Sequence, residues 1–307
     1  MMAPPQGWVD VEPEWLRLLS QFLALRPFSR VNPAGASDAL ALLASLLRAR
    51  GFAVAHHANP SPDGSGVLVA TRPPRGGVPH TMGLFGHVDV ENVVPRKAWR
   101  TANPLVPELL DGRWYARGVG DNLGPLLARL LAFRDTDETS AGVVWVIQAE
   151  EETGSPFAHA LLPSLKADFA SVSLWVEETG YFTADGVQRV LTMHDGSPGP
   201  GPRLPVVDFA LRALERAACG RERVVLNRYL NKSFGINRCP CIAHLVDGSV
   251  PYISFGPNDV ASCIHDVDES VPAATLALAW EQFQAVLSLD GGGRTHPDVA
   301  IISETHE

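Results

Sequence analysis

The chain is poor in cysteine, in basic charge and in long apolar runs, and each shortage excludes something. Four cysteines in 307 residues (Cys219, Cys239, Cys241 and Cys263) are too few for a disulfide scaffold, so a reduced, cytoplasmic protein is expected. Lys and Arg number 25 against 34 Asp and Glu, for a net charge of −9, and no basic run interrupts the balance. A nucleic-acid binder would carry a basic footprint, so no nucleic-acid partner is expected. No window holds the ~18 uncharged apolar residues of a membrane helix. The longest candidate, Ala39 to Leu47, ends at Arg48. The segment Met1-Met2-Ala3-Pro4-Pro5-Gln6 lacks the basic and apolar regions of a secretory signal. What is present is core-forming material. Apolar residues make up 46% and charged residues 19%, which excludes disorder as the main state.

Hydrophobic spacing predicts helices over Glu12–Leu25 and, after a break at Pro33 and Gly35, from a Ser37 cap through Leu47. Gly51 stands where a left-handed helix-ending residue belongs. Strands follow at Phe52–His57 and Val67–Thr71, separated by the turn-rich stretch from Asn59 to Gly64. Apolar strands at Thr81–Phe85, Gly142–Gln148 and Ala170–Val176 then alternate with helices at Leu123–Phe133 and Phe157–Lys166. A hairpin turning at Asp185-Gly186 lies within Tyr181–Met193. A helix at Leu204–Ala218, short strands near Cys241–Val246 and Tyr252–Phe255, and a helix at Ala273–Leu287 finish the pattern. Continuous apolar strands joined by helices imply an α/β fold, with a mostly parallel mixed sheet covered by helices on both faces.

Three of the central strands run into residues that ligate metals: His87-Val88-Asp89, Glu150-Glu151-Glu152 and Glu177-Glu178. Asp121, ahead of the third helix, and His265, after Tyr252–Phe255, can reach the same place, because ligands of open α/β sheets gather beyond the carboxyl ends of the strands. Taken singly, a histidine after a strand or a glutamate triplet is a core or solvated residue. Several carboxylates buried together without cations would be costly, which argues for metal. Cys239-Pro240-Cys241 with His244 matches no standard zinc spacing and reads as ordinary thiols.

The segments GHVDV (Gly86–Val90), Trp99, Pro104, Asp111-Gly112, ARGVGDNLG (Ala116–Gly124), EEETGS (Glu150–Ser155), VEETG (Val176–Gly180) and HDVDE (His265–Glu269) resemble the dinuclear zinc peptidases and deacylases. That family includes acetylornithine deacetylase, succinyl-diaminopimelate desuccinylase, aminoacylase and carboxypeptidase G. The resemblance implies two zinc ions per chain, with cobalt or manganese able to substitute. His87, Asp121, Glu152, Glu177 and His265 would be the metal ligands, Asp121 bridging. Glu151 would be the general base, and Asp89 the carboxylate that orients His87. Glu178 rivals Glu177, and Glu150 rivals Glu151, at a slip of one residue. The implied activity is hydrolysis of an amide in a small peptide or N-acyl amino acid.

The chain departs from the family's pattern in two places. Leu123 replaces the usual lysine after Asp-Asn, removing a polar contact. Glu177 and His265 lie only 88 positions apart, which leaves no room for the family's inserted lid. A single catalytic domain over 1–290 is therefore expected, with a short Pro/Gly-rich connection near 195–203 and a loosely held tail over 291–307. His194, Asn227, Arg228 and Asn231 are local candidates to replace the lid's substrate-gripping groups, and a carrier or partner protein could cover the open crevice. A lidless zinc aminopeptidase uses a similar residue set, although the Trp99 to Gly118 stretch favours the deacylases. A metal-binding scaffold without turnover is the other alternative. Gly118-x-Gly120-x-x-x-Gly124 fails both nucleotide-binding glycine patterns.

Overall fold

The computed structural model describes residues 6–61, 64–77, 80–93, 98–133, 140–177, 180–193, 205–218, 223–227, 244–245 and 250–288. The expected connection at 195–203, the tail from 291, Glu178, Cys219, Cys239, Cys241, His194, Arg228 and Asn231 lie outside these residues.

Helix α1 (Gln6–Ala24) buries Trp8, Trp15, Leu18, Leu19, Phe22 and Leu23, the stripe that a 3.6-residue period places on one side. Helix α2 (Pro33–Arg48) begins four residues ahead of the predicted Ser37 cap. Asn32 is its cap, the side chain accepting the Gly35 amide at 3.3 Å, and Pro33 occupies the first turn, where its missing N–H costs nothing. Gly35 is needed for close approach: a Cβ there would lie 2.3 Å from the Leu25 carbonyl oxygen. Gly51 ends the segment at φ +78°.

The main sheet has ten strands. These are β1 (Ala53–His57), β2 (Val67–Arg72), β3 (Thr81–His87), β6 (Gly142–Gln148), β7 (Val172–Glu177), β8 (Tyr181–Phe182), β9 (Val187–Met193), β10 (Arg223–Asn227), β11 (Tyr252–Ser254) and β12 (Asn258–Asp259). Their spatial order is β1-β2-β6-β3-β7-β11-β9-β8-β12, with β10 beside β9. The centre, β6-β3-β7-β11, is parallel; β2 runs antiparallel to β1 and β6, and β9 antiparallel to β11 and β8, while β10 beside β9 and β12 beside β8 pair in parallel. Every strand in the described part of 180–259 joins this one sheet.

Alternation along β6 shows how the sheet divides the core. Val143, Trp145 and Ile147 face the larger cluster, which is built with α1, α2, α3 (Leu123–Ala132), α5 (Pro205–Ala218) and α6 (Ala273–Leu287). Val144 and Val146 face a smaller cluster closed by Ala158 and Leu162 of α4 (Pro156–Leu165). Both faces are thus covered, the second by α4 and by Phe169 of the short 3-10 helix (Lys166–Phe169) that follows it. None of the described helices is long and apolar enough to cross a membrane.

A second, three-stranded sheet of β4 (Glu108–Leu110), β5 (Arg113–Tyr115) and β13 (Ser270–Pro272) was not expected from the sequence pattern. Its signal was Asp111-Gly112, a two-residue loop with both φ positive (51° and 78°), as a tight hairpin requires. Arg113 ties this sheet to β12 through two bonds to Asp259, at 2.6 and 2.9 Å. Burial pushes the Asp259 carboxyl up, but Arg113 outweighs it and holds the group below its usual range. A carboxylate favoured in this way stabilises the fold above its unfolded pKa, near 3.9, and loses that contribution as pH falls through the lower folded value. Asp259→Asn should therefore cost about 1.5–3 kcal/mol at neutral pH. The difference from wild type should shrink below about pH 4, as chemical denaturation across pH would reveal.

Candidate metal centre

The carboxyl edge of the central strands brings the chemistry together. His87 ends β3 and is 4% exposed. Its Nδ1 bonds the Asp89 carbonyl at 3.0 Å, with the Asp89 carboxylate at 3.4 Å, so Nε2 is left to face outward. Nε2 meets Asp121 Oδ1 at 3.0 Å. The other Asp121 oxygen, Oδ2, meets His265 Nε2 at 3.1 Å, and the same His265 nitrogen lies 3.1 Å from Glu152 Oε2. His87, Asp121, Glu152 and His265 therefore form one chain of donor atoms with Asp121 between the two imidazoles. Three of them (His87, Asp121 and Glu152) offer ligand atoms within 4.8 Å of one another.

Asp89 does more than orient an imidazole. Fully buried, it accepts the amides of Glu151 (3.1 Å) and Glu152 (3.0 Å), and so fixes the turn that follows β6. Glu150 is turned away: one oxygen accepts Asn59 Nδ2 (3.0 Å) and the Ser65 amide (2.6 Å). The Glu151 carboxylate accepts no hydrogen bond among the described residues. Glu177, at the end of β7, is held by the Tyr252 hydroxyl (2.7 Å) and the Ser254 hydroxyl (2.9 Å). These two residues went unnoticed in the sequence. The register of β11 beside β7, with Ser254 opposite Glu177, is what delivers them. Glu177 stands outside the three-residue ligand group, but its charge is felt at Glu151.

Electrostatics follow from crowding anions and imidazoles in a half-dry place. Burial opposes protonation of His87, but the bonds to Asp121 and Asp89 and the charge of Glu151 outweigh it and raise its pKa well above the ordinary value. Asp121 and Glu152 raise His265 in the same way. Burial pushes the carboxyls of Glu151 and Glu152 up. Asp121 is held far down by His265 and His87 in spite of its burial.

A divalent metal fits this set. Imidazole nitrogens and carboxylate oxygens suit zinc, cobalt or manganese. Among the described residues Glu152 Oε1 is buried without a hydrogen-bond partner, which is costly unless something cationic meets it. Three non-glycine residues near His265 hold positive φ: Cys263 at 48°, His265 itself at 64° and Asp268 at 62°. Such strain persists where the surrounding structure enforces it, commonly at functional sites.

Elsewhere, His244 bonds His159 at 2.9 Å (Nε2 to Nδ1), while the cysteines that precede His244 fall outside the described residues.

Fold and donor set together define an α/β protein with a candidate metal site at the carboxyl edge of its sheet. The chain belongs to peptidase family M20/M25/M40, which its sequence matches over residues 83–288. Over 117 residues it is 38% identical to a succinyl-diaminopimelate desuccinylase of Xanthomonas oryzae pv. oryzae (37% of this chain, 29% of the relative). Over 152 residues it is 28% identical to the human beta-Ala-His dipeptidase (42% of this chain, 30% of the relative). The aligned stretches thus span less than a third of these curated relatives. Among solved structures, human carnosine dipeptidase 1 superposes with a TM-score of 0.70 at 14% identity, covering 91% of this chain and 97% of the other. The Saccharomyces cerevisiae dipeptidase Dug1p gives 0.72 at 11% identity, covering 91% and 96%. At these identities the superpositions speak for the fold.

Proposed function

We propose that the protein is a metal-dependent amide hydrolase, a peptidase or N-acyl-amino-acid deacylase, working with a dinuclear zinc centre. The observation that carries this is Asp121, whose two oxygens each address a different imidazole, His87 and His265. His87, Asp121 and Glu177 would hold one ion; Asp121, Glu152 and His265 the other. When bound, the ions supply Lewis acidity, lowering the pKa of a water and polarising the scissile carbonyl.

The rest falls to the chain. Glu151, its carboxyl raised by burial and accepting no hydrogen bond among the described residues, accepts the proton of the attacking water and returns it to the leaving nitrogen. Asp89 keeps Glu151 and Glu152 in place through their amides. The substrate is a small peptide or an N-acyl amino acid, in keeping with relatives named as dipeptidases and desuccinylases. A cytoplasmic location agrees with the free, exposed Cys263.

Metal analysis of protein purified without chelator tests the proposal. Close to two zinc ions per chain are expected, and a value near zero after zinc reconstitution would overturn it.

The same proposal includes an open crevice without a lid, supported by the single sheet that collects the described strands between 180 and 259. Poor exclusion of water should then make simple acetyl-amino acids turn over slowly, while a bulky substrate or a covering partner would restore the missing contacts. Solution scattering showing a separate second domain, or fast turnover of acetyl-amino acids, would contradict this.

A further inference from the structure

Glu269 is among the most deeply buried charged groups, at 1% exposure, and the chemistry proposed above leaves it unused. Its Oε2 accepts Arg117 Nη1 at 2.8 Å and the Gly118 amide at 2.9 Å. Its Oε1 accepts the amides of Gly120 (2.9 Å) and Asp121 (3.0 Å). Four donors fill the lone-pair sites of one carboxylate. The contacts join two distant segments. Ala116 donates its amide to the Glu269 carbonyl, and Arg117 Nη2 donates to the Asp266 carbonyl, so 116–121 is laced to 266–269. One segment carries Asp121 and the other carries His265.

We infer that Glu269 is the positioning residue of the metal centre: its carboxylate, cradled by the Gly118, Gly120 and Asp121 amides and by Arg117, sets where Asp121 stands between His87 and His265. The inference rests on the proposed metal centre.

A purely structural role would not call for this arrangement. Burying an Arg–Glu pair incurs desolvation, and apolar replacements of similar volume are often neutral or stabilising. A carboxylate that orders three amides of the loop around Asp121 does what no apolar side chain can. The loop's own shape depends on it. Gly118 holds φ +77°, and a Cβ on Gly120 would press within 2.8 Å of Asn258 Oδ1, whose amide nitrogen donates to the Gly120 carbonyl at 2.9 Å. Glu269 and Asn258 therefore grip the same residue from its amide and its carbonyl.

Glu269→Gln is the direct test. Either orientation of the amide points two N–H groups at existing donors, so the loop must shift. Cobalt titration of metal-free protein should then show affinity weaker by about 10–100-fold, as for partners that orient ligands. The visible absorption of the bound cobalt, which reports ligand geometry, should differ from wild type. Leu19→Ala in α1, a buried position remote from this network in sequence and bonding, supplies a variant of lowered thermal stability and should bind cobalt with wild-type affinity and spectrum. If Glu269→Gln does not fold, the double variant Arg117→Met with Glu269→Gln removes both buried charges, and it should show the same weakened, altered cobalt site. Wild-type affinity and spectrum in either variant would overturn the inference and leave Glu269 a structural ion pair. Wild-type protein that takes up no cobalt would instead overturn the metal centre itself, and this inference with it.

Discussion

Glu151→Gln should lower turnover by about 10²–10⁴-fold, the usual worth of a positioned general base, while metal content stays near that of wild type. The amide keeps the shape of the carboxylate but cannot take up a proton from water. Its backbone amide would still donate to Asp89, so the turn after β6 should hold. Glu152→Gln should behave in the opposite way, losing metal at one site, because Glu152 Oε2 lies in the donor chain beside His265. Metal analysis and steady-state kinetics on the two variants separate these outcomes. Reversed phenotypes would move the assignment by one residue along the glutamate triplet. Retained activity in Glu151→Gln would remove the proposed base.

The largest effect on stability is expected at Trp15. Its side chain is fully buried, with ring centroids 6.0 Å from Trp8 and 5.5 Å from Trp114, and its Nε1 donates to the Gly124 carbonyl at 3.0 Å. Trp15→Ala would empty the junction of α1, α3 and the small sheet, at a cost of about 3–5 kcal/mol. Trp15→Phe would keep most of the packing and lose only the indole's bond to a helix carbonyl, costing about 0.5–1.5 kcal/mol. Urea unfolding of the pair measures both. A loss below about 1 kcal/mol for Trp15→Ala would mean that α1 is not the structural wall the packing describes.

Much of this fold was legible because its signals are local. Gly142–Gln148 and Ala273–Leu287 coincide with β6 and α6, since unbroken apolar runs and helical spacing need no partner to be read. The start of α2 was misplaced because Pro33 and Gly35 look like breakers in isolation. Pro33 is in fact a first-turn residue, and Gly35 is demanded by the Leu25 carbonyl. The β4–β5 hairpin was overlooked although Asp111-Gly112 announces it, because strands of three residues carry almost no periodicity. At the site, residue types and order pointed to His87, Asp121, Glu152 and His265, which the structure places in one hydrogen-bonded chain. The supports were hidden. Tyr252 and Ser254 meet Glu177 across 75 and 77 positions, and Glu269 meets Gly118 across 151. Nothing local marks such partners.

That scatter bears on how the molecule comes into being. The proposed donor groups stand at positions 87, 121, 152, 177 and 265, so the last imidazole leaves the ribosome long after the first. Closing the loops between far-separated residues costs entropy that rises slowly with their separation, and chains rich in such contacts fold more slowly. Three of the proposed donors, His87, Asp121 and Glu152, belong to the first half of the chain. The second imidazole arrives from the far end, so the proposed two-ion centre is complete only when the segment that carries His265 has docked on the finished strands.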